Sequence, residues 1–568
     1  MKKIIIYSLL ALVAMSSCES FLDTENLTKK DSSNFPENES DMEASMAAIY
    51  AAIAGINSTE TIFLAGDIAS DNRFGGGGQN DRGFQALTRL KRDGQDHFNN
   101  SWRNNYKGIN RANNLLENVD RINWSSEEQR NAIEGEARFL RGHIYFDLAR
   151  FFGRVPLVLT TEMVNLPRAE ADELFAQIAL DLKLAIELLP SIPYSPANNK
   201  HLGRATKWAA EALMARVFLF YTGYYRQESL PVAGSSEVIR KEQVISWLEE
   251  CAYRSGHGLA KDFRGLWPYS NPATNVDYPY AREVVWEGET GDNIETIFAY
   301  KYSILATYDN TQYSNPIILT SSLRNGGGQD YEKTFPYGPG WGAGPVNSQL
   351  WDDWLEKEPE DIRRQASILD VRDPEEIEGY SWGEDRMMEE TGYWNKKYIA
   401  INAHQKKEDG SIELVKYGCV LYNRTPDYKL DNTQDLVLIR YADVLLMLSE
   451  LKKEAGPMNE VRARVGLPPV SYTEENLRQE RRFELAFEGV RYYDLLRWHL
   501  AETELAKQHG VEVMNNGVKG YIDLSDLGKR VRETGGFFPI PQTQIELSAG
   551  VLVQDPAWTT QEAIFTGQ

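Results

Sequence analysis

Between positions 133 and 151 the apolar residues Ile133, Ala137, Leu140, Ile144, Leu148 and Phe151 stand 4, 3, 4, 4 and 3 residues apart. That spacing lines one face of an α-helix, which is stable only when the stripe packs against another element. The same pattern recurs on both sides. Trp102, Ile109, Leu116 and Val119 share a face, and so do Leu174, Ile178, Leu182, Ala185 and Leu189, where Pro190 stops the run. Trp208, Ala212, Ala215 and Leu219 follow Thr206, a residue suited to capping a helix start. Helix starts near 131, 170 and 206 are roughly 35–40 residues apart, the period of stacked helical hairpins of the tetratricopeptide sort. The consensus residues of that repeat are absent, so the hairpins are repeat-like in spacing alone. A further helix is expected near 41–55.

Elsewhere the pattern changes. Residues 66–97 are polar, charged and Gly-rich, with four glycines at Gly75 to Gly78, and read as a long loop with a flexible turn. Long loops in compact proteins are often functional. Over 251–430 helical periodicity fades into Gly, Pro, Asn, Tyr and Trp. Strand-like runs appear at Glu283–Gly288 and Thr296–Tyr302. Helices resume at 435–453 and 457–464. Another runs from Thr473 to about Glu488, with Glu474 and Glu475 in its first turn, where the helix dipole favours acids, and Gly489 as its stop. The expected fold is mostly α: a helical scaffold over 41–250 and 431–568 with an irregular, loop-rich segment at 251–430 between its halves.

The N-terminus reads as an export signal. Lys2 and Lys3 precede an apolar stretch from Ile4 to Met15, which falls short of the roughly 20 residues that span a bilayer. Ser16 and Ser17 then precede Cys18, an arrangement like a bacterial lipoprotein cleavage site. Residues 1–17 are the expected signal peptide, Cys18 the lipidated residue, and 18–40 a polar arm leading from the anchor. Stable anchoring takes two or more acyl chains, which a triacylated Cys18 supplies. The remaining cysteines, Cys251 and Cys419, either form one disulfide or stay as thiols.

Composition narrows the function. With 83 acidic and 61 basic residues the net charge is −22, the wrong sign for a nucleic-acid partner. The seven histidines form no HExxH or similarly close metal-ligand pair. There is no GxSxG elbow. Gly75–Gly78 lacks the Lys that makes a Gly loop a phosphate cradle, and the glycines of 338–344 surround Pro339 with no helical pattern after them. No enzyme, cofactor or required metal is expected, although Asp67, Asp71 and Asp81 offer oxygen ligands of the kind calcium uses.

Several blocks together resemble the SusD/RagB family over nearly the whole chain. The run RRFELAFEGVRYYDLLRW from Arg481 to Trp498 is close to that family's most recognisable motif. Asn459–Pro469 and Leu438–Glu450 precede it, Gly135–Val158 matches upstream, Phe537–Ser548 matches the tail, and Cys18–Asp23 fits the lipoprotein start. The resemblance implies a helical fold with four tetratricopeptide-like hairpins and an irregular ligand-binding half. It implies attachment to the outer face of the outer membrane, and a SusC-like TonB-dependent barrel as partner, over which the protein sits as a lid. It implies glycan capture for nutrient uptake, or capture of oligopeptides as the alternative. A structural surface protein without a ligand is a third reading. Arg481, Glu484, Glu488 and Arg491 are read as a charge network that fixes the last helices. Phe483, Phe487, Tyr492, Tyr493 and Trp498 are read as core.

A sugar offers C–H groups on one face and hydroxyls around its edge. Its site therefore wants exposed aromatic faces, which give contact area at little entropic cost, beside planar polar groups that set orientation. Two stretches qualify. The first holds Asp67, Asp71, Asn72, Arg73 and Phe74; the second holds Tyr308, Tyr313, Tyr331, Tyr337 and Trp341, and Trp267 is a further candidate. Trp102 and Trp286 are expected in the core. Trp341 and Arg73 are the preferred pair.

Overall fold

A computed structural model describes residues 35–55, 61–78, 81–196, 202–289, 291–325, 330–383 and 387–560. The signal peptide, Cys18 and most of the arm lie outside them. Among the described residues no helix is long and apolar enough to cross a membrane.

The striped segments are helices: α1 (Glu39–Ala54), α4 (Asn99–Asn118), α5 (Glu127–Phe152), α6 (Ala171–Leu188), α7 (Lys207–Tyr224) and α8 (Lys241–Arg254), with the short α2 (Ile62–Ile68) and α3 (Arg82–Arg89) between α1 and α4. They form a row in which α1 packs on α4, α4 on α5, α5 on α6, α6 on α7 and α7 on α8. The stripe of α5 is the centre of the core: Ile133, Ala137, Leu140, Ile144, Leu148 and Phe151 are all at most 1% exposed. Polar side chains satisfy the free N–H groups at the helix starts. Ser126 accepts from Gln129 N, Thr206 from Ala209 N and Thr473 from Asn476 N.

Beyond α8 the chain makes short elements until α11 (Tyr441–Lys452), which packs against α8 and continues the row into α12 (Ala455–Arg464). Then come α13 (Glu474–Glu484) and α14 (Arg491–Arg497), the latter seated on α7 and α2. The intervening segment contributes α9 (Pro316–Ser321), α10 (Ser348–Lys357) and strand pairs. Strand β1 (Thr296–Tyr300) pairs antiparallel with β4 (Leu436–Arg440), and β2 (Leu323–Arg324) pairs parallel with β3 (Pro339–Gly340).

Four local expectations are corrected. Residues 66–97 are not one loop: α2 ends and α3 lies inside that range, and Gly66 to Gly78 are buried. Residues 436–440, expected as the start of a helix, are strand β4; a short apolar run fits either period, and the partner β1 decides it. Glu283–Gly288 is irregular, not a strand, although Trp286 is buried as expected.

The glycines at 75–78 form packed backbone instead of a flexible turn. Gly77 bridges Met388, and a Cβ on Gly75 would lie 2.0 Å from the Phe84 carbonyl oxygen. Cys251 and Cys419 are separate buried thiols.

Candidate functional site

The two stretches singled out in the sequence meet in space, through their backbones. Phe74 N donates to Pro345 O (3.0 Å), Asn347 N to Asn72 O (2.9 Å), and Arg73 bridges Val346. Side chains of residues 67–73 point inward, which corrects their expected role as surface contacts. Arg73 is 1% exposed. Its Nε donates to Gly344 O (2.7 Å) and its Nη2 to Ala343 O (3.2 Å) and Ser321 Oγ (3.1 Å). Burial pulls its guanidinium down to about 10, with Asp67 opposing, so it stays protonated at neutral pH.

Asp71 is pinched by Arg491 (2.8 Å) and Arg482 (3.2 Å). Burial alone would raise its carboxyl, but the two arginines outweigh that and hold it well below the carboxylate range. Asn72 Oδ1 accepts from Arg482 Nε. Asp67 Oδ1 accepts from Gly489 N (3.1 Å), and burial pushes this carboxyl up to about 7. A neighbouring groove of about 370 Å³ is lined by Arg482, Arg491, Asp353 and Lys507, but Arg482 is taken by Asp353 (2.7 Å) and Arg491 by Asp71. These polar residues tie the loop to the C-terminal motif helices. That demand comes from partners some 400 positions away, as with Asp71 and Arg491, and no local pattern reveals it.

Trp267 and Tyr337 are likewise enclosed. Trp267 is 2% exposed, with Lys397 Nζ 4.7 Å from its ring, and the Tyr337 hydroxyl meets that of Tyr278 at 2.9 Å. Phe74 is fully buried, and Tyr331 is half-buried.

Trp341 is placed differently. It is 41% exposed on a loop held by its own backbone: Trp341 N donates to Leu319 O (2.8 Å), Gly342 N to Ser322 O (3.0 Å) and Ala343 N to Thr320 O (2.9 Å). Gly342 has φ +69° and its absent Cβ would meet Arg324, so a larger residue cannot make this turn. Arg324, which sequence reasoning missed, donates to Trp341 O (2.5 Å) and faces Asp81 (3.6 Å), while the Tyr331 hydroxyl donates to Arg324 O (2.7 Å). Asp81 Oδ2 in turn accepts from Gly78 N (2.6 Å). The result is an exposed indole on a loop whose backbone carbonyl is bound by the Arg324 guanidinium, itself near the Asp81 carboxylate, while Arg73 holds the carbonyls of Ala343 and Gly344 in that loop from below.

Under this loop lies a small core of Val346, Leu350, Trp354, Ile368, Tyr393, Phe483, Ala486 and Phe487, with Trp354 stacked on Phe483 at 4.5 Å. It joins α10 to the motif helix α13. The motif's charges are internal. Arg481 pairs with Asp443 (2.8 Å) and Asp494 (2.9 Å), and Glu484 with Arg363 (2.8 Å), Arg440 (2.9 Å) and Arg464 (2.5 Å). Glu488 pairs with Lys397 (2.7 Å) and Arg440 (2.7 Å). None of these carboxylates is open to a reacting molecule. Phe483, Phe487, Tyr492 and Tyr493 are core, and Trp498 is half-buried. Among the described residues no cluster of three or more His, Cys, Asp or Glu has the geometry to hold a metal ion.

Comparison with known proteins agrees with this architecture. A SusD-like family model described as "starch-binding associating with outer membrane" matches residues 20–219, and the SusD family model matches residues 294–558. SusD-like protein P2 of Formosa agariphila is 23% identical over 514 residues, covering 85% of this chain and 88% of that one. A solved laminarin-binding SusD-like protein superposes with TM-score 0.67 at 24% identity, covering 92% of this chain and 99% of that one. Surface glycan-binding protein A from Bacteroides thetaiotaomicron, solved with laminarihexaose, gives TM-score 0.65 at 19% identity over 91% and 99% of the two chains. Matched in order by two models of one family, over residues 20–219 and 294–558, this chain belongs to the SusD/RagB family.

Proposed function

We propose that this protein binds a glycan at the Trp341 loop, on the cell surface, and passes it to a SusC-like TonB-dependent barrel in the outer membrane. The observation that carries the reading is the exposed indole of Trp341 on a rigid turn beside Arg324 and Asp81. An indole held open to solvent supplies a flat apolar face for a sugar's C–H side, and the guanidinium and carboxylate supply donors and acceptors for its hydroxyls. The solved relatives described as binding laminarin or laminarihexaose support a glycan as the ligand class. In this reading Cys18 carries the lipid, residues 18–40 form the tether, and residues 41–568 act as one SusD-like unit without catalytic chemistry. Arg73 holds the Trp341 loop from behind, and Asp67, Asp71, Asn72, Trp267 and Tyr337 serve the packing of the fold.

The test is calorimetric titration of the lipid-free mature protein against a panel of soluble polysaccharides and peptide mixtures. Heat with a polysaccharide is expected. Heat with peptides alone would replace the glycan by an oligopeptide.

A further inference from the structure

At the other end of α9 from Trp341 two more aromatic side chains stand open to solvent. Tyr308 is 69% exposed and Tyr428 is 40% exposed. Neither lies on a frayed segment. Tyr308 sits in a tight hairpin closed by reciprocal bonds between Thr307 and Asn310, and the base of that excursion is shut by Ser303 N donating to Tyr313 O (2.8 Å). Tyr428 sits in a turn closed by Leu430 N on Asp427 O (2.9 Å). Arg424 locks the two turns together: it donates to Ile304 O (2.5 Å) and Ala306 O (2.9 Å) and pairs with Asp431 (2.9 Å). Asp427 precedes Tyr428 in the chain and stands near the Tyr308 hydroxyl, and the Lys429 ammonium lies 5.9 Å from the Tyr428 ring.

We propose that Tyr308 and Tyr428, with Asp427 between them, form a second sugar-stacking platform, so that the ligand is a polymer long enough to engage this platform and Trp341 together. The proposal rests on the glycan reading and extends it to chain length. Neighbouring aromatic faces held open by a built framework offer stacking area at little entropic cost. Tyrosines beside a carboxylate and an ammonium suit a hydroxyl-rich partner better than an aliphatic one. The Asp427 carboxylate has acceptor sites left over after its Oδ1 takes the Lys429 backbone N–H (3.1 Å).

The two platforms are joined by α9. Its N-cap Asn315 is bonded to the second platform's loop, through Asn315 N to Asn432 O (2.8 Å) and Asn315 Nδ2 to Gln434 O (2.9 Å). Its C-terminal carbonyls carry the Trp341 loop. Six helical residues span about 9 Å, more than one sugar ring covers. Two weak sites on one chain reinforce each other only when the ligand reaches both.

The experiment uses native gels containing laminarin, starch, xylan or pectin to find a polysaccharide that retards the full mature protein. Calorimetry then follows with that polysaccharide and its size-fractionated oligosaccharides. The Tyr308→Ala/Tyr428→Ala double variant should keep the wild-type Tm and bind short oligosaccharides as wild type does. It should lose roughly five- to tenfold in affinity for long ones and for the polymer, the loss expected when one of two linked contacts is removed. Trp341→Ala should weaken every length. A double variant that binds the polymer as tightly as wild type, while Trp341→Ala does not, overturns the second platform and leaves the Trp341 site standing. Failure of every polysaccharide to retard the wild-type protein overturns both readings together.

Discussion

In the proposed site Arg73 and Trp341 divide the work. Trp341 presents a face to solvent; Arg73 never reaches it, but holds the carbonyls of Ala343 and Gly344 behind it. Arg73→Met should therefore lower both Tm and glycan affinity, since each buried acceptor left unpaired costs about 1–3 kcal/mol, and Arg73→Lys should restore part of each. A melting curve and a titration on the same preparation check this; a lower Tm with unchanged affinity would show that the loop does not depend on its support. Gly66 tests the packing behind the site. A Cβ there would lie 2.1 Å from the Gly489 carbonyl oxygen, where α2 meets the turn before α14. Gly66→Ala should destabilise by about 1–3 kcal/mol, as overpacking does, measured by denaturant unfolding.

Among the elements, the helices were legible because a stripe at helical spacing is a local property. The α5 stripe and the caps at Thr206 and Thr473 needed no tertiary knowledge. The irregular segment was not legible in the same way. Strand β4 exists because β1 lies beside it, and the fate of Asp71 depends on Arg482 and Arg491. Composition pointed to two stretches whose backbones meet in the fold, yet picked polar side chains that face inward along with the one indole that faces out. The motif block, by contrast, was read as a charge network, and its carboxylates are enclosed by arginines. Glu484 shows the consequence. Burial alone would raise its carboxyl, but Arg464, Arg440 and Arg363 outweigh that and hold it well below the usual range. Glu484→Gln should leave these cations undercompensated in the interior, at a cost of about 3–5 kcal/mol, read as a large fall in Tm or loss of soluble protein.

At the scale of the whole molecule, two sets of buried carboxyls set opposite pH dependences. For Glu484, Asp71, Asp443 and Asp494, burial works against ionisation, but nearby arginines win and lower the folded values. Their stabilisation is present above the unfolded value of about 4 and is lost as pH falls through the folded values. Asp67 and Glu289 are pushed up to about 7 and Glu211 to about 8, by burial first. There the folded state binds the proton more tightly, so stability declines as pH rises from about 4 through these values. Tm should therefore peak in mildly acidic buffer and fall on either side; a profile flat from pH 5 to 8 would contradict the second set. The cysteines belong to the same interior. Burial raises the Cys251 thiol well above its usual value and the Cys419 thiol to about 12, so neither should react with a thiol reagent until the protein unfolds.

The central claim is that the Trp341 loop is where a glycan is held. It is tested most directly by titrating wild-type and Trp341→Ala protein with the polysaccharide the wild type binds, alongside their melting curves. The prediction is at least a roughly tenfold weaker dissociation constant for the variant, about 1.4 kcal/mol of lost binding energy, with Tm within a few degrees of wild type. An unchanged dissociation constant would place the glycan elsewhere on the molecule.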